Sequence, residues 1–176
     1  MKKISLDELH RIDIETFKQS PKLPIIIILD NIRSQYNIGS IFRTCDAFRV
    51  EQLLLCGITA KPPSREIEKS ALGATQSVIW KYFSTTQEAV EYCKNRNYKI
   101  VAIEQTDESI DIRQFDVLKN QPYAFIFGNE VHGVDQKIID QCNFCIEIPQ
   151  FGTKHSFNVA VTSAIVMYDF FIKYQI

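Results

Sequence analysis

The stretch PIIIILDNIRSQYNIGSIFRTCDAF, Pro24 to Phe48, decides the fold class. It opens with an almost purely aliphatic run, which is typical of a strand buried on both faces of a parallel sheet. The apolar residues that follow, from Ile38 to Phe48, recur at helical spacing, so we expect a helix directly after the strand. A buried strand that leads into an amphipathic helix favours an α/β fold.

The rest of the chain continues this alternation and predicts a mostly parallel sheet with flanking helices. Further strands are expected at 52–56, 98–103, 123–127 and 144–148, and helices from Thr85 or Thr86 to Arg96, over 133–141 and from Ser156 to about Tyr174. Between them, SALGATQSVIWKYF, 70–83, fits a short helix that runs into a strand.

The first 20 residues are expected to form a short helical extension ahead of a single domain at 21–176. Ser5 and Glu8 make an S-x-x-E capping box, which predicts a helix from there to about Lys18. No signal-peptide core follows the two N-terminal lysines, and no apolar run approaches the roughly 20 residues of a membrane span. We therefore expect a cytoplasmic protein without a membrane segment.

Composition excludes few function classes. The 176 residues are 45% hydrophobic and 23% charged with a net charge of −1, as in an ordinary soluble domain, and this balance does not indicate a nucleic-acid binder. The bias is local, since the segment 31–69 holds six basic against four acidic residues. A dimer would double this modest excess.

The cysteines do not predict a disulfide framework, because the chain contains five of them at scattered positions. Cys142 and Cys145 form a C-x-x-C in QCNFCIEIP. This segment is expected to be a strand, in which residues three apart point to opposite faces. We expect no metal site here.

Three unusual loops follow predicted strands: the start of the helix after PIIIILD, GNEVHG at 128–133, and PQFGTKHSFN at 149–158. Ligands of open α/β sheets bind at the carboxyl ends of the strands. The sequence lacks a G-x-G-x-x-G after a strand, a G-x-x-x-x-G-K-[ST] phosphate loop and a G-x-S-x-G nucleophile elbow. The common nucleotide and hydrolase motifs are thus excluded.

Together, the three loops resemble the three motifs of the SpoU family, also called the TrmH family, whose members are RNA ribose 2′-O-methyltransferases of the SPOUT superfamily. The motifs appear here as NIRSQYNIGSIFRTCDAF, FGNEVHGV and IPQFGTKHSFNV, and the resemblance extends from about Pro24 to Phe170. The sequence departs from the family pattern at Gln150, where Met is usual, and at Phe157, where Leu is usual. Both positions act largely through their backbone in the family.

The resemblance implies an S-adenosylmethionine cofactor and a SPOUT methyltransferase domain at 21–176 whose C-terminal part is tied into a deep trefoil knot. By residue match, the cofactor-binding positions are Ile103, Gln105, Gly128, Ile148, Ser156 and Phe157. The catalytic positions are Arg43, Asn37, Glu130, Ser156 and Asn158. A glycine at the strand end, as at Gly128, also suits close approach of a ligand to the backbone.

Three residues of the first motif carry the catalytic hypothesis. Asn37 stands where a helix N-cap is expected, and Gly39 is expected to leave room for a ribose or phosphate beside Arg43, one turn further on the same face. Arg43 either acts as the base for the ribose hydroxyl or stabilises the developing alkoxide. Arginine in general holds its proton very tightly, which favours the second role. The alternative is a surface arginine paired with Asp46.

The function expected from this resemblance is methyl transfer from S-adenosylmethionine to a ribose 2′-hydroxyl of RNA, with tRNA preferred over rRNA. The apolar C-terminal helix predicts a homodimer. Two alternatives stay open at this point: a catalytically silent RNA-binding member of the fold, and an unrelated α/β enzyme that acts on a small nucleotide.

Overall fold

Seven parallel strands form one sheet in the computed structural model, which describes residues 1–5 and 7–175. The sheet order is β3-β2-β1-β6-β4-β7-β5. The strands are β1 (Leu23–Asp30), β2 (Val50–Cys56), β3 (Trp80–Phe83), β4 (Lys99–Ile103), β5 (Ile110–Asp111), β6 (Tyr123–Phe127) and β7 (Phe144–Glu147).

Helices cover both faces of this sheet, which confirms the α/β prediction; the knot stays a prediction. They are α1 (Ile14–Gln19), α2 (Gln35–Ala47), α3 (Arg65–Ala71), α4 (Ala74–Ser77), α5 (Thr86–Lys94), α6 (Gln136–Ile139) and α7 (Val159–Gln175). Among the described residues, no helix has the length and apolar character that crossing a bilayer requires.

The aliphatic run of β1 supplies both faces of the core, because successive side chains of a strand point to opposite sides. Ile25, Ile27 and Leu29 join a cluster that includes residues of α2, α3 and α7. Ile26 and Ile28 join a second cluster with residues of α5 and α6. All five side chains are fully buried, which explains why this strand has no polar alternation.

α7 is buried on one side only, and it begins at Val159 rather than at the predicted Ser156. Val166, Met167 and Phe170 lie in the core. At helical spacing on another side, Val161 and Tyr168 are about half exposed, at 48% and 56%. We call the row Val161, Ile165, Tyr168 and Ile172 the α7 stripe.

The prediction of a single helix in the N-terminal extension is wrong. Ser5 and Glu8 do exchange the hydrogen bonds of a capping box, at 2.7 and 3.4 Å, but they start only a 3₁₀ turn, Asp7–Leu9. The chain then turns at His10, where φ is 44°, and Asp13 caps α1 by accepting the Thr16 N–H at 2.7 Å. Leu6, inside the predicted helix, lies outside the described residues.

Two further predictions need correction. The helix predicted at 133–141 contracts to α6, and Cys142 lies in the turn after it rather than in a strand. The Cys142 thiol donates to the Ile138 carbonyl at 3.2 Å, as at the end of a helix. The segment 70–83 resolves into α4 followed by β3, while the two-residue β5 was not predicted.

Candidate functional site

A cavity of about 550 Å³ opens at the carboxyl ends of β4, β6 and β7. The edge is the one at which ligands of parallel sheets bind. All six residues predicted to bind the cofactor line it, together with Glu130 and Asn158 from the predicted catalytic set. The six are Ile103, Gln105, Gly128, Ile148, Ser156 and Phe157.

Glycines give the loop after β6 its shape. A Cβ on Gly128 would lie 2.2 Å from the Gly133 carbonyl carbon and 2.3 Å from the Val134 nitrogen. Gly133 has a φ of +67°, and a Cβ there would lie 2.2 Å from Glu104 Oε2. The first reason for a glycine at 128 is therefore packing within the loop rather than the predicted approach of a ligand.

Glu104, the residue after β4, connects two walls of the cavity. Its Oε2 accepts the Val134 N–H at 2.9 Å, and its Oε1 accepts the Gln105 N–H at 3.0 Å. One carboxylate therefore joins the end of β4 to the loop after β6. Hydrogen bonds from backbone N–H groups to an ionised acceptor are stronger than neutral ones, so this contact orders the wall.

Glu130 binds the start of α2. Its Oε2 accepts the backbone N–H of Arg33 at 3.0 Å. Its Oε1 accepts the backbone N–H of Ser34 and the Asn37 side-chain amide, both at 3.1 Å. An anion at a helix N-terminus is favourable, because the first N–H groups of the helix have no partner within it. Glu130 thus fixes α2 against the loop after β6.

The pKa of Glu130 lies below its ordinary value. Burial raises it, but the hydrogen bonds from the backbone of Arg33 and Ser34 and from the Asn37 side chain together lower it by more. Glu130 is consequently ionised at neutral pH and acts as a hydrogen-bond acceptor rather than as an acid.

Asn37 and Asn158 bring α2 and the start of α7 together. Asn158 Nδ2 donates to Asn37 Oδ1 at 3.2 Å, while Asn37 Nδ2 donates to Glu130. Three predicted catalytic residues therefore form one hydrogen-bonded row, which we call the Asn37–Glu130–Asn158 row. It borders the cavity, since Glu130 and Asn158 line it.

The lining of the cavity is negatively charged. Glu104, Glu130 and Glu147 line it, and no lysine or arginine stands among its described lining residues. A positively charged ligand is therefore favoured there over a phosphate.

Two glutamine side chains donate to one carbonyl of the third loop, and one of them, Gln105, joins this loop to the end of β4. The carbonyl of His155 accepts from Gln105 Nε2 at 3.3 Å and, more weakly, from Gln150 Nε2 at 3.5 Å. Gln150, where the sequence departs from the usual methionine, thus adds a polar contact within its own loop.

A family model described as the SpoU rRNA Methylase family matches residues 24–168 of this chain. The chain belongs to the SpoU family. This assignment excludes the alternative of an unrelated α/β enzyme.

Known SpoU relatives match at moderate identity. A tRNA (guanosine(18)-2′-O)-methyltransferase of Aquifex aeolicus is 31% identical over 147 residues, which cover 82% of this chain and 67% of that enzyme. A protein of Staphylococcus saprophyticus assigned to the TrmH family of tRNA/rRNA methyltransferases is 30% identical over 89% of this chain. This chain spans only 61% of that relative's length.

Solved structures agree in fold. The A. aeolicus TrmH/SpoU tRNA modifying enzyme superposes with a TM-score of 0.79 at 27% identity, over 92% of this chain and 80% of that one. An AdoMet-bound rRNA methyltransferase of Sinorhizobium meliloti gives a TM-score of 0.77 at 24% identity, over 89% and 58%. The second likeness concerns the fold alone.

Within this SpoU chain, Arg43 lies apart from the cavity. It is exposed on α2 and does not line the site. In the described part of the chain, no acidic oxygen lies within 4.0 Å of its guanidinium, and Asp46 instead accepts the Ser77 hydroxyl. The predicted alternative, a pair between Arg43 and Asp46, is therefore wrong.

The predicted roles of two neighbours change as well. Ser34, not Asn37, is the N-cap of α2, because its hydroxyl accepts the Asn37 N–H at 3.3 Å. Gly39 is buried against α3, where a Cβ would lie 2.0 Å from Ser70 Oγ and 2.4 Å from the Ile67 carbonyl oxygen. This glycine allows two helices to pack closely and leaves no room for a ribose.

Sequence reasoning missed Glu104 and Asn129. Asn129 joins the same loop to the end of β1, since its Nδ2 donates to the Asn31 carbonyl at 2.7 Å. Both residues directly follow a strand or its terminal glycine, at the edge where ligands bind. The expectation that ligands bind at the carboxyl ends of the strands, applied residue by residue, would have selected both.

Proposed function

We propose that this protein is an S-adenosylmethionine-dependent RNA methyltransferase that transfers a methyl group to a ribose 2′-hydroxyl. One observation carries the proposal. In a chain of the SpoU family, the six predicted cofactor positions surround one cavity, and the Asn37–Glu130–Asn158 row borders it.

The cavity suits S-adenosylmethionine. Its volume of about 550 Å³ lies within the range of small-molecule sites, and Ile103, Ile148 and Phe157 offer apolar contacts. The cofactor carries a positive sulfonium and an ammonium group, which the carboxylates of Glu104 and Glu147 complement. When bound, it supplies an electrophilic methyl group.

The Asn37–Glu130–Asn158 row positions the nucleotide. Glu130 uses its oxygens on Arg33, Ser34 and Asn37, so its role is to hold these groups rather than to take a proton. Alignment of the attacking oxygen with the methyl carbon supplies a large part of the rate in such a reaction. Ser156 also lines the cavity, and we assign to it a contact with either the cofactor or the nucleotide.

A homodimer through the α7 stripe completes the site. The stripe is apolar, and three of its four residues (Val161, Tyr168 and Ile172) are exposed, as expected of a surface that a second copy covers. α2 packs beside α7, with the rings of Phe48 and Tyr168 6.2 Å apart. Arg43 is exposed on α2, so we assign its catalytic role to the cavity of the partner subunit.

The preferred substrate is tRNA rather than rRNA. Support comes from the A. aeolicus relative, whose name specifies the ribose of a tRNA guanosine. We extend the proposal to this chain, which spans 61% of the length of the Staphylococcus saprophyticus relative.

The test combines calorimetry with a transfer assay. Binding of S-adenosylmethionine, followed by transfer of its labelled methyl group to unmodified tRNA transcripts in preference to rRNA transcripts, is the expected result. Cofactor binding without transfer to either RNA would instead indicate the catalytically silent RNA-binding member. No cofactor binding would overturn the proposal.

A further inference from the structure

Three cations and one aromatic ring share the outer surface of α2 and α3. Arg33 precedes α2, Tyr36 lies in its first turn, and Arg65 and Lys69 stand one turn apart on α3. All four side chains are exposed, and Lys69 Nζ lies 6.0 Å from the centre of the Tyr36 ring. We call these four residues the α2–α3 surface.

The cations of this surface form no ion pair with the acidic residues that the structure describes. Within residues 1–5 and 7–175, no carboxylate oxygen lies within 4.0 Å of the charged nitrogens of Arg33, Arg65 or Lys69. Of the two acids of α3, Glu68 accepts the Thr75 hydroxyl at 2.8 and 2.9 Å. Glu66 stands three residues before Lys69, but among the described residues the two side chains form no ion pair within 4.0 Å.

The surface is continuous with the candidate site. The backbone N–H of Arg33 donates to Glu130. Gln35, the first residue of α2, is joined to α3 by a side-chain hydrogen bond with Ser64, the residue before α3. Gly39 lets α3 lie close along α2, which brings Lys69 beside Tyr36. The packing of the two helices therefore places the cations on one surface beside the Asn37–Glu130–Asn158 row.

RNA phosphates need such a surface, because the cavity itself repels them. Three carboxylates line the cavity, whereas arginine and lysine on the α2–α3 surface match the charge of phosphates. An exposed tyrosine among cations is the arrangement on which unpaired bases stack. We propose that the α2–α3 surface binds the RNA strand beside the target nucleotide, with Arg65 and Lys69 on phosphates and Tyr36 under a base. This inference rests on the proposed function.

The first test measures how binding of an unmodified tRNA transcript depends on salt. Each phosphate contact contributes roughly 0.7 to 0.9 to the slope of log affinity against log salt concentration. The double variant Arg65→Ala/Lys69→Ala should therefore make the slope shallower by about 1.5. Its matched control is Lys99→Ala/Lys119→Ala, which removes the same charge from exposed lysines at the amino ends of β4 and β6. An equal change in both variants would overturn the proposal.

The second test isolates stacking. Tyr36→Ala should weaken binding of the transcript roughly tenfold, whereas Tyr36→Phe keeps the ring and should bind within about twofold of wild type. Equal binding by Tyr36→Ala and wild type would contradict the stacking role.

Cofactor binding and subunit mass separate the possible failures. Calorimetry with S-adenosylmethionine in the same preparations should give the wild-type affinity for every variant, because none of these side chains lines the cavity. Normal cofactor binding with unchanged RNA affinity would overturn the surface alone, whereas absent cofactor binding in the wild type would overturn the proposed function. Light scattering measures the mass of the assembly. If the variants of the α2–α3 surface had a lower mass than wild type, the surface would be an interface with a second copy, and RNA binding there would be overturned.

Discussion

Asn158 Nδ2 donates to Asn37 Oδ1 at 3.2 Å, although the two asparagines are 121 positions apart in the chain. This bond joins the first and third motifs directly, and the bond from Asn37 to Glu130 joins the second. Three segments that are distant in sequence thus become one site through two side-chain hydrogen bonds.

Complementation between two inactive chains tests whether the site is shared between subunits. Arg43→Ala and Asn158→Ala should each abolish most methyl transfer. A heterodimer of the two variants can be obtained by co-expressing them with different tags and purifying through both tags. If Arg43 acts on the partner's cavity, this heterodimer contains one site in which both Arg43 and Asn158 are intact. We expect about half of the wild-type activity from it.

The controls are the two homodimers purified in the same way. A heterodimer as inactive as they are would place Arg43 and Asn158 in the same subunit's site, and a monomer in light scattering would refute the dimer itself.

Glu104→Gln should weaken S-adenosylmethionine binding roughly tenfold, because an amide cannot accept both the Val134 and Gln105 N–H groups with the strength of a carboxylate. Calorimetry measures the effect. Glu147→Gln is the matched control, since it removes a carboxylate from the same cavity. In the described part of the chain, the Glu147 side chain accepts no backbone N–H. Equal losses in both variants would mean that the charge of the cavity, rather than the ordered wall, determines affinity.

Glu130→Gln should lower the melting temperature in a pH-dependent way. Folding lowers the pKa of Glu130, so its ionised form stabilises the protein above about pH 4.5, the ordinary pKa of the group. This contribution is lost as the pH falls through the lower pKa of the folded state. Thermal melts should show a difference between variant and wild type that is full at pH 7 and shrinks below pH 4.5. A difference that is constant over this range would contradict the role assigned to the ionised carboxylate.

Gly39→Ala should lower the free energy of unfolding by about 1–3 kcal/mol, because the new Cβ overlaps Ser70 and the Ile67 carbonyl. Chemical denaturation measures it. Gly152→Ala serves as control, since a Cβ there meets nothing within 4 Å and the backbone needs no left-handed conformation. If Gly39→Ala left the free energy of unfolding unchanged, α2 and α3 could move apart without cost, which would contradict this role of the glycine.

The sequence predicted those features that depend on local pattern. The aliphatic β1, the helix that follows it and the three loops at the strand ends were all foreseen, because burial and strand polarity leave their mark on consecutive residues. The residues around the cavity followed from the family motifs.

Features that depend on distant contacts escaped prediction. Ser34 caps α2 in place of Asn37, whose amide is engaged by Glu130 from another loop. The purpose of Gly39 depends on α3, and that of Glu104 on Val134, which lies 30 residues further on. The position of Arg43 outside the cavity likewise follows from how α2 packs in the fold.

The position of a labelled methyl group distinguishes transfer to a ribose oxygen, which we propose, from transfer to a base. After transfer from labelled S-adenosylmethionine, the tRNA is hydrolysed with alkali, which cleaves every linkage except the one on the 3′ side of a 2′-O-methyl nucleotide. We predict that the label appears in alkali-resistant dinucleotides and is absent when Asn158→Ala replaces the wild-type protein. Label in mononucleotides, as a methylated base gives, would contradict this account.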